Sequence, residues 1–288
     1  MLKIYETDLK EKGYCIIKDI LTQTEIKDAY DEFHKWRTSI DNFDEIHKKV
    51  NPHSIYKYHQ VGHQRHAWLI RTNKAIQDVF KTLWKTNELV VSFDGSCYMP
   101  KELSKKDNFW THTDQSSIKK GLHCYQGFVS LTSNKERSLV VYEGSHKIHE
   151  DYFKEMNLET NKDWNVINTE YIDKIKDTKR VLDVPAGSLV IWDSRSFHQN
   201  QYGKPGSEER VVQYVSYLPK NNKKNTASMQ KKRRKYFNEK RTTSHWAYPI
   251  KVNSLQPRTY GNKDLLIDYS KLPNIRLDDL MDDINELL

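Results

Sequence analysis

Apolar side chains recur at helical spacing in two early stretches. Ile26, Ala29, Tyr30, Phe33 and Trp36 form one stripe, and Ala75, Ile76, Val79, Phe80, Leu83 and Trp84 form another. Thr22 is placed to cap the first helix, with Glu25 three residues later completing a capping box. Thr72 or Asn73 caps the second. Elsewhere the runs are short and strand-like: Gly13 to Lys18, Glu88 to Phe93, His123 to Leu131, Ser138 to Tyr142, Arg180 to Val184, Ser188 to Asp193 and Arg210 to Leu218. Ser138 to Tyr142 is expected to pair with His123 to Leu131 across the turn 132–137. A second hairpin is expected around Pro185-Ala186-Gly187. Many short strands, Gly-containing turns and two early helices predict a mainly β fold with flanking helices, a double-stranded β-helix of the jelly-roll, cupin-like kind. A doubly wound α/β fold is disfavoured, because no Gly-x-Gly-x-x-Gly opens a helix after a strand.

Two stretches lack a clear period. Residues 38–70 hold His53, His59, His63 and His66 without a Cys or well-placed carboxylate, and read as a substrate-facing lid or plain surface, with a second metal site the weaker alternative. Residues 157–179 are polar and read as solvent-facing. After 219 the composition changes. Lys220 to Arg241 carries ten basic residues and one acidic, Glu239, a local charge of +9 against a formal total of +8. The remainder therefore sums to about −1, and the basic character belongs to this segment. It is expected to hold a surface helix over Met229 to Glu239. Three readings of its charge stand: a solvated face, capture of an anionic substrate or cofactor phosphate, and contact with a nucleic-acid backbone. From Asp264 onward the tail is acidic, with Leu277, Leu280, Met281, Ile284 and Leu287 at helical spacing. It would dock on the body, on a second subunit or on the basic segment. The expected organisation is one domain over 1–219 and an extension over 220–288 packed on it.

The 288 residues are 36% apolar and 30% charged, but seven Trp, 17 Tyr and nine Phe supply large groups for a core. Cys15, Cys97 and Cys124 are odd in number and unevenly spaced, which excludes a disulfide framework and a close-spaced zinc cluster. No apolar run approaches the length of a membrane span, and Met1 to Glu6 lacks the hydrophobic stretch of a signal peptide. An intracellular location is the expectation that follows.

The chemistry centres on Trp110-Thr111-His112-Thr113-Asp114-Gln115. In a strand, His112 and Asp114 share a face, so imidazole and carboxylate can converge. A distant histidine would complete a 2-His-1-carboxylate triad, a set that suits non-haem Fe(II) and leaves positions open. His198, in Phe197-His198-Gln199-Asn200, is the best candidate, and Arg210 follows by 12 residues at the head of a strand. A guanidinium there can hold the far carboxylate of a 2-oxo acid by a two-point grip. His146 reads as a structural hydrogen-bonding residue.

These residues occur in a wider ordered set: Gly13-Tyr14-Cys15-Ile16-Ile17, Trp110 to Gln115, Gln126-Gly127-Phe128-Val129-Ser130-Leu131, Leu139 to His146, Val184 to Val190 and Phe197 to Asn200. On that set the chain, over roughly residues 10 to 220, resembles the phytanoyl-CoA dioxygenase-like family of Fe(II)- and 2-oxoglutarate-dependent oxygenases. Two features depart from the pattern: Glu143 stands where the family usually has proline before Gly-Ser-His, and the segment after 220 matches nothing general. The resemblance implies His112, Asp114 and His198 as iron ligands and Arg210 on the 2-oxoglutarate carboxylate, with Gln126 and Tyr98 as candidates to assist. It also implies hydroxylation of an anionic or small organic substrate, since the carboxylate of Asp114 occupies the position that halogenating relatives leave free. Trp110 and Trp192 would be dry walls by the metal or core. Asp193 and Arg195 would touch substrate or pair with each other. Two other classes compete: a nucleic-acid-directed oxygenase and a non-catalytic cupin-like binding protein.

Overall fold

Thr22 begins the first long helix as its spacing predicts. Its hydroxyl accepts from Glu25 N at 3.3 Å while its own backbone N–H donates to Glu25 Oε2 at 2.7 Å, and the helix runs Gln23–Thr38. Asn73 caps the second, Lys74–Trp84, through a bond from Ile76 N. The structure, a computed structural model, describes residues 2–51 and 53–288. Its strands in chain order are β1 (Tyr14–Ile17), β2 (Ile55–Tyr56), β3 (Leu89–Val91), β4 (Ser96–Met99), β5 (His112–Thr113), β6 (Tyr125–Ser130), β7 (Leu139–Tyr142), β8 (Asn165–Val166), β9 (Lys179–Val181), β10 (Leu189–Asp193), β11 (His198–Asn200), β12 (Arg210–Val215) and β13 (Tyr217–Pro219).

Among the described residues the strands form three open antiparallel sheets of six, five and two strands, and none closes into a barrel. The expected jelly roll is therefore corrected. Closure would require the two end strands of a sheet to pair. In the five-stranded sheet, ordered β8-β5-β11-β7-β9, the ends β8 and β9 do not. Both expected hairpins are also corrected. β7 pairs with β11 and β9 rather than with β6, and β10 pairs with β1 and β6 rather than with β9. Alternation fixes which face a residue takes, but not which strand lies beside it.

The chain divides into two compact units, Met1–Lys18 with Met99–Arg210 and Asp19–Tyr98 with Val211–Leu288. In the first, β10 lies between β1 and β6, with Ile191 opposite both Cys15 and Gly127. All five residues of β10 are buried, as a strand covered on both faces requires. Gly13 holds φ +85°, and a Cβ there would come within 2.4 Å of His146 Nδ1, so only glycine fits. His146 itself donates from Nε2 to Lys10 O at 3.0 Å, the structural role expected. The five-stranded sheet has one face packed by Val140, Tyr142, Phe197 and Ile167 against Tyr152, Phe153, Tyr171 and Ile172. Those last four come from the helices His149–Glu155 and Thr169–Lys174. The stretch 157–179, read as solvent-facing, thus contributes β8 and part of this core, which corrects that expectation.

In the second unit, the described residues of 38–70 include regular structure. They supply the helices Phe43–Val50 and Arg65–Thr72. Their histidines are packing and hydrogen-bonding groups. His63 donates from Nε2 to Arg241 O at 3.0 Å, His66 Nε2 meets Ser96 Oγ at 3.0 Å, and His47 Nε2 meets His59 Nδ1 at 3.0 Å. The basic segment forms the helix Ala227–Asn238, capped by Thr226. One of its cations is not on the surface. Arg233 is fully buried and donates to Asn225 Oδ1, Ala247 O and Leu288 O, so part of the run read as exposed charge is a structural clamp. Burial pushes its pKa down to about 10, which still leaves it charged at neutral pH. The acidic tail ends in the helix Met281–Leu287, burying Ile284 and Leu287, and Asp283 pairs with Lys74 at 2.6 Å. The three cysteines are free and buried. Among the described residues no helix is long and apolar enough to cross a membrane.

His63 and His66 are both held neutral, their pKa values pushed by burial from 6.5 to about 3. Below 6.5 the unfolded chain takes up these protons and the folded chain does not, so stability falls with pH over the window 6.5 to about 3. Each group contributes a loss on the order of 1 kcal/mol per pH unit. The urea midpoint should therefore drop steeply between pH 6.5 and 4, and less steeply in His66→Gln. A flat midpoint across that range would show that these histidines are accessible to protons in the native state.

Candidate metal centre

His112 on β5 lies directly opposite His198 on β11. Directly opposed residues of an antiparallel pair project from the same face, and Asp114, two residues beyond His112, returns to that face. The ligand atoms accordingly converge. His112 Nε2 and His198 Nε2 stand 3.5 Å and 3.4 Å from Asp114 Oδ2, and the three donor atoms lie within 4.8 Å of one another. Ligands about 2.1 Å from a shared ion, set at right angles, would be about 3 Å apart, so the spacing is that of a facial set lacking only small adjustments. Among the described residues this is the one cluster of three His, Cys, Asp or Glu groups able to hold a metal.

The tautomers suit the same role. His112 Nδ1 faces Trp110 O at 3.2 Å and His198 Nδ1 faces Ser196 O at 3.0 Å. A carbonyl only accepts, so each Nδ1 carries the proton and each Nε2 presents a lone pair to the centre. Burial, then the neighbouring His198, holds the His112 imidazole below its usual range, opposed by Asp114. It is thus neutral and ready to ligate at neutral pH. Trp110 stacks on His112 with centroids 5.0 Å apart and planes 16° apart, fixing the ring. Trp192 sits 5.3 Å from the His198 ring. Both indoles are buried beside the ligands.

Gln126 faces the carboxylate ligand. Its amide donates to Asp114 Oδ2 at 3.0 Å, aiming the carboxylate. Arg210 is 1% exposed and donates from Nη1 to Asn200 Oδ1 at 2.8 Å. Asp193 and Arg195 pair with each other through two short bonds, Arg195 Nη2 reaching Asp193 Oδ2 at 2.6 Å. Tyr98 falls in the second unit, where its ring packs on Phe33 and beneath Arg37. Two residues of the site have no role assigned from the sequence. Gln115 accepts from Ser194 Oγ and His123 N, and donates to Lys119 O and Gly121 O, tying down the loop after the ligand strand. Trp164, half exposed, lies 5.6 Å from the His112 ring. A lone aromatic in a polar stretch was the available signal for it.

A family model described as phytanoyl-CoA dioxygenase (PhyH) matches residues 9–201. The chain belongs to the phytanoyl-CoA dioxygenase family. With the triad in place, this family member is a non-haem dioxygenase dependent on Fe(II) and 2-oxoglutarate. Among curated proteins it is 26% identical over 239 residues to Ava biosynthesis cluster protein O of Aspergillus versicolor, covering 75% of this chain and 77% of that one. Two solved structures share its fold. HygX from Streptomyces hygroscopicus, with nickel and 2-oxoglutarate bound, matches at 13% identity and TM-score 0.52 over 75% of this chain and 86% of that one. EctD from S. alaskensis, with 2-oxoglutarate and 5-hydroxyectoine, matches at 16% identity and TM-score 0.53 over 75% of each chain.

In this dioxygenase Asp114→Ala should abolish retention of Fe(II), and Gln126→Leu should weaken it about 10- to 100-fold by freeing the carboxylate. Competition with a chromophoric chelator measures both. Unchanged affinity in Gln126→Leu would mean that the amide does not orient Asp114.

Proposed function

We propose that the enzyme hydroxylates a small organic molecule at a C–H bond, with Arg210 binding the far carboxylate of 2-oxoglutarate. The observation that carries the cosubstrate role is a buried, half-satisfied guanidinium. Arg210 Nη1 is held by Asn200, but Nη2 is buried with no acceptor among the described residues. An unmet charged donor is costly inside a protein, and an incoming carboxylate removes that cost. Position supports the same reading. Asn200 stands two residues beyond His198 on the same face of β11, about 7 Å along the strand, the span of a five-carbon diacid.

Bound iron and 2-oxoglutarate supply the oxidation: oxygen is consumed, the oxo acid becomes succinate and carbon dioxide, and one oxygen atom enters the substrate. The chain's own residues do the rest. His112, Asp114 and His198 would hold the metal, a ligand set that suits non-haem Fe(II). Gln126 keeps the carboxylate from rotating, and the carbonyls of Trp110 and Ser196 keep both imidazoles in the ligating tautomer. Trp110 and Trp192 exclude water beside the ligands.

Arg210→Met keeps the bulk and removes the charge. The concentration of 2-oxoglutarate needed for the anaerobic visible charge-transfer band of the Fe(II) complex should rise tenfold or more, on the order of what a lost buried charge partner costs, while Fe(II) affinity alone stays the same. An unshifted requirement for 2-oxoglutarate would assign the carboxylate to another residue.

A further inference from the structure

Among the described residues ten large apolar side chains are exposed, and five of them, Phe109, Ile118, Leu158, Trp164 and Val166, fall in the two stretches 109–118 and 158–166. The first contains the metal ligands His112 and Asp114. The second pairs with it, since Val166 lies directly opposite His112 and Asn165 opposite Thr113. Val166, His112 and His198 therefore project in one row from one face. Trp164, two residues before Val166, turns its ring to the same side, 5.6 Å from the His112 ring and inclined at 37°. His112 is 5% exposed, whereas Trp164 is 51% exposed and Val166 45%. Apolar surface thus opens to solvent on the metal face itself, immediately beside a ligand.

The backbone carrying Trp164 is fixed on both sides. Ile167 N donates to Thr111 O at 2.8 Å, and Asp163, 6% exposed, accepts from Ser116 N at 3.2 Å and from Lys119 Nζ at 2.6 Å. Ser117 and Thr160 exchange a further pair of bonds. The indole is therefore presented rather than loose. Half of it meets water, and that exposed part would gain from a flat partner. Lys119 is neutralised by Asp163, so this wall adds no net cation to attract an anion.

We propose that Trp164 determines substrate specificity, forming the wall against which a flat, unsaturated or aromatic ring of the substrate stacks beside the metal. This rests on the dioxygenase reading above. An aromatic face pairs with a planar ring in offset or tilted geometry, and discriminates against a puckered saturated ring of equal size.

The probes are 2-naphthol and its saturated counterpart decahydro-2-naphthol, titrated anaerobically into the enzyme loaded with Fe(II) and 2-oxoglutarate and followed by ligand-observed NMR. Wild type should bind 2-naphthol, Trp164→Ala about fivefold more weakly, and Trp164→Phe within about twofold of wild type, since stacking needs only an aromatic ring. Decahydro-2-naphthol should bind wild type about fivefold less well than 2-naphthol and be insensitive to the substitution. Equal binding of 2-naphthol by wild type and Trp164→Ala, or none by wild type, overturns the proposal. The charge-transfer band separates the two levels of failure. If wild type lacks the band, the dioxygenase reading fails. If the band is present and Trp164→Ala binds 2-naphthol as wild type does, only the role of Trp164 fails.

Discussion

The site depends on one register. His112 and His198 face each other across a two-strand pairing, and every other feature of the centre is arranged around that opposition. A slip of one residue would carry His198 to the far face and bring Phe197 or Gln199 to the metal side. What opposes the slip is packing on that far face. Phe197 is fully buried there with Val140, Tyr142 and Ile167 against the two short helices, and moving one such aromatic into water would cost roughly 2–3 kcal/mol. The hydrophobic core thus fixes the catalytic geometry through a sheet that has metal chemistry on one side and oil on the other.

Polar groups around the ligands complete that geometry. Asp114 receives Gln126 through its carboxylate and is held by its backbone N–H to Ser194 O at 3.0 Å. Ser194 in turn donates its hydroxyl to Gln115, which ties the loop 115–121 through four bonds. Asn200 performs the matching task for Arg210. Gln115 spends both ends of its amide on fixed partners, which helps a buried ligand set hold position in a low-dielectric interior. Arg210 Nη2 is a charged donor left unmatched among the described residues, and Trp192 Nε1 beside His198 is a neutral one.

Much of this could be read in the residues. His112 and Asp114 share a face because they are two apart, and the apolar stripes of the two early helices have the period of a helix. Thr22 and Asn73 cap for reasons local to a few residues. Partner choice was not legible. The apolar run Leu139–Tyr142 is satisfied equally by β6 or by β11, and only the three-dimensional packing selects β11. The same limit misled the expectation of a jelly roll. Val166 sits in a stretch too polar to announce a strand, and Trp164 is a single aromatic with no period. Gln126 was legible as a residue of the site but not as a partner of Asp114, since its bond spans two strands that alternation cannot bring together. Arg233, counted as surface charge on composition alone, is buried because carbonyl and amide acceptors from three separated positions happen to meet it.

Iron K-edge X-ray absorption on the anaerobic Fe(II)- and 2-oxoglutarate-loaded enzyme addresses the central claim most directly. Outer-shell scattering should require two imidazoles in the wild type and one in His198→Ala, with no sulfur ligand in either. A wild-type spectrum fitted by a single imidazole, or one unchanged by the substitution, would contradict a centre built on the opposition of His112 and His198.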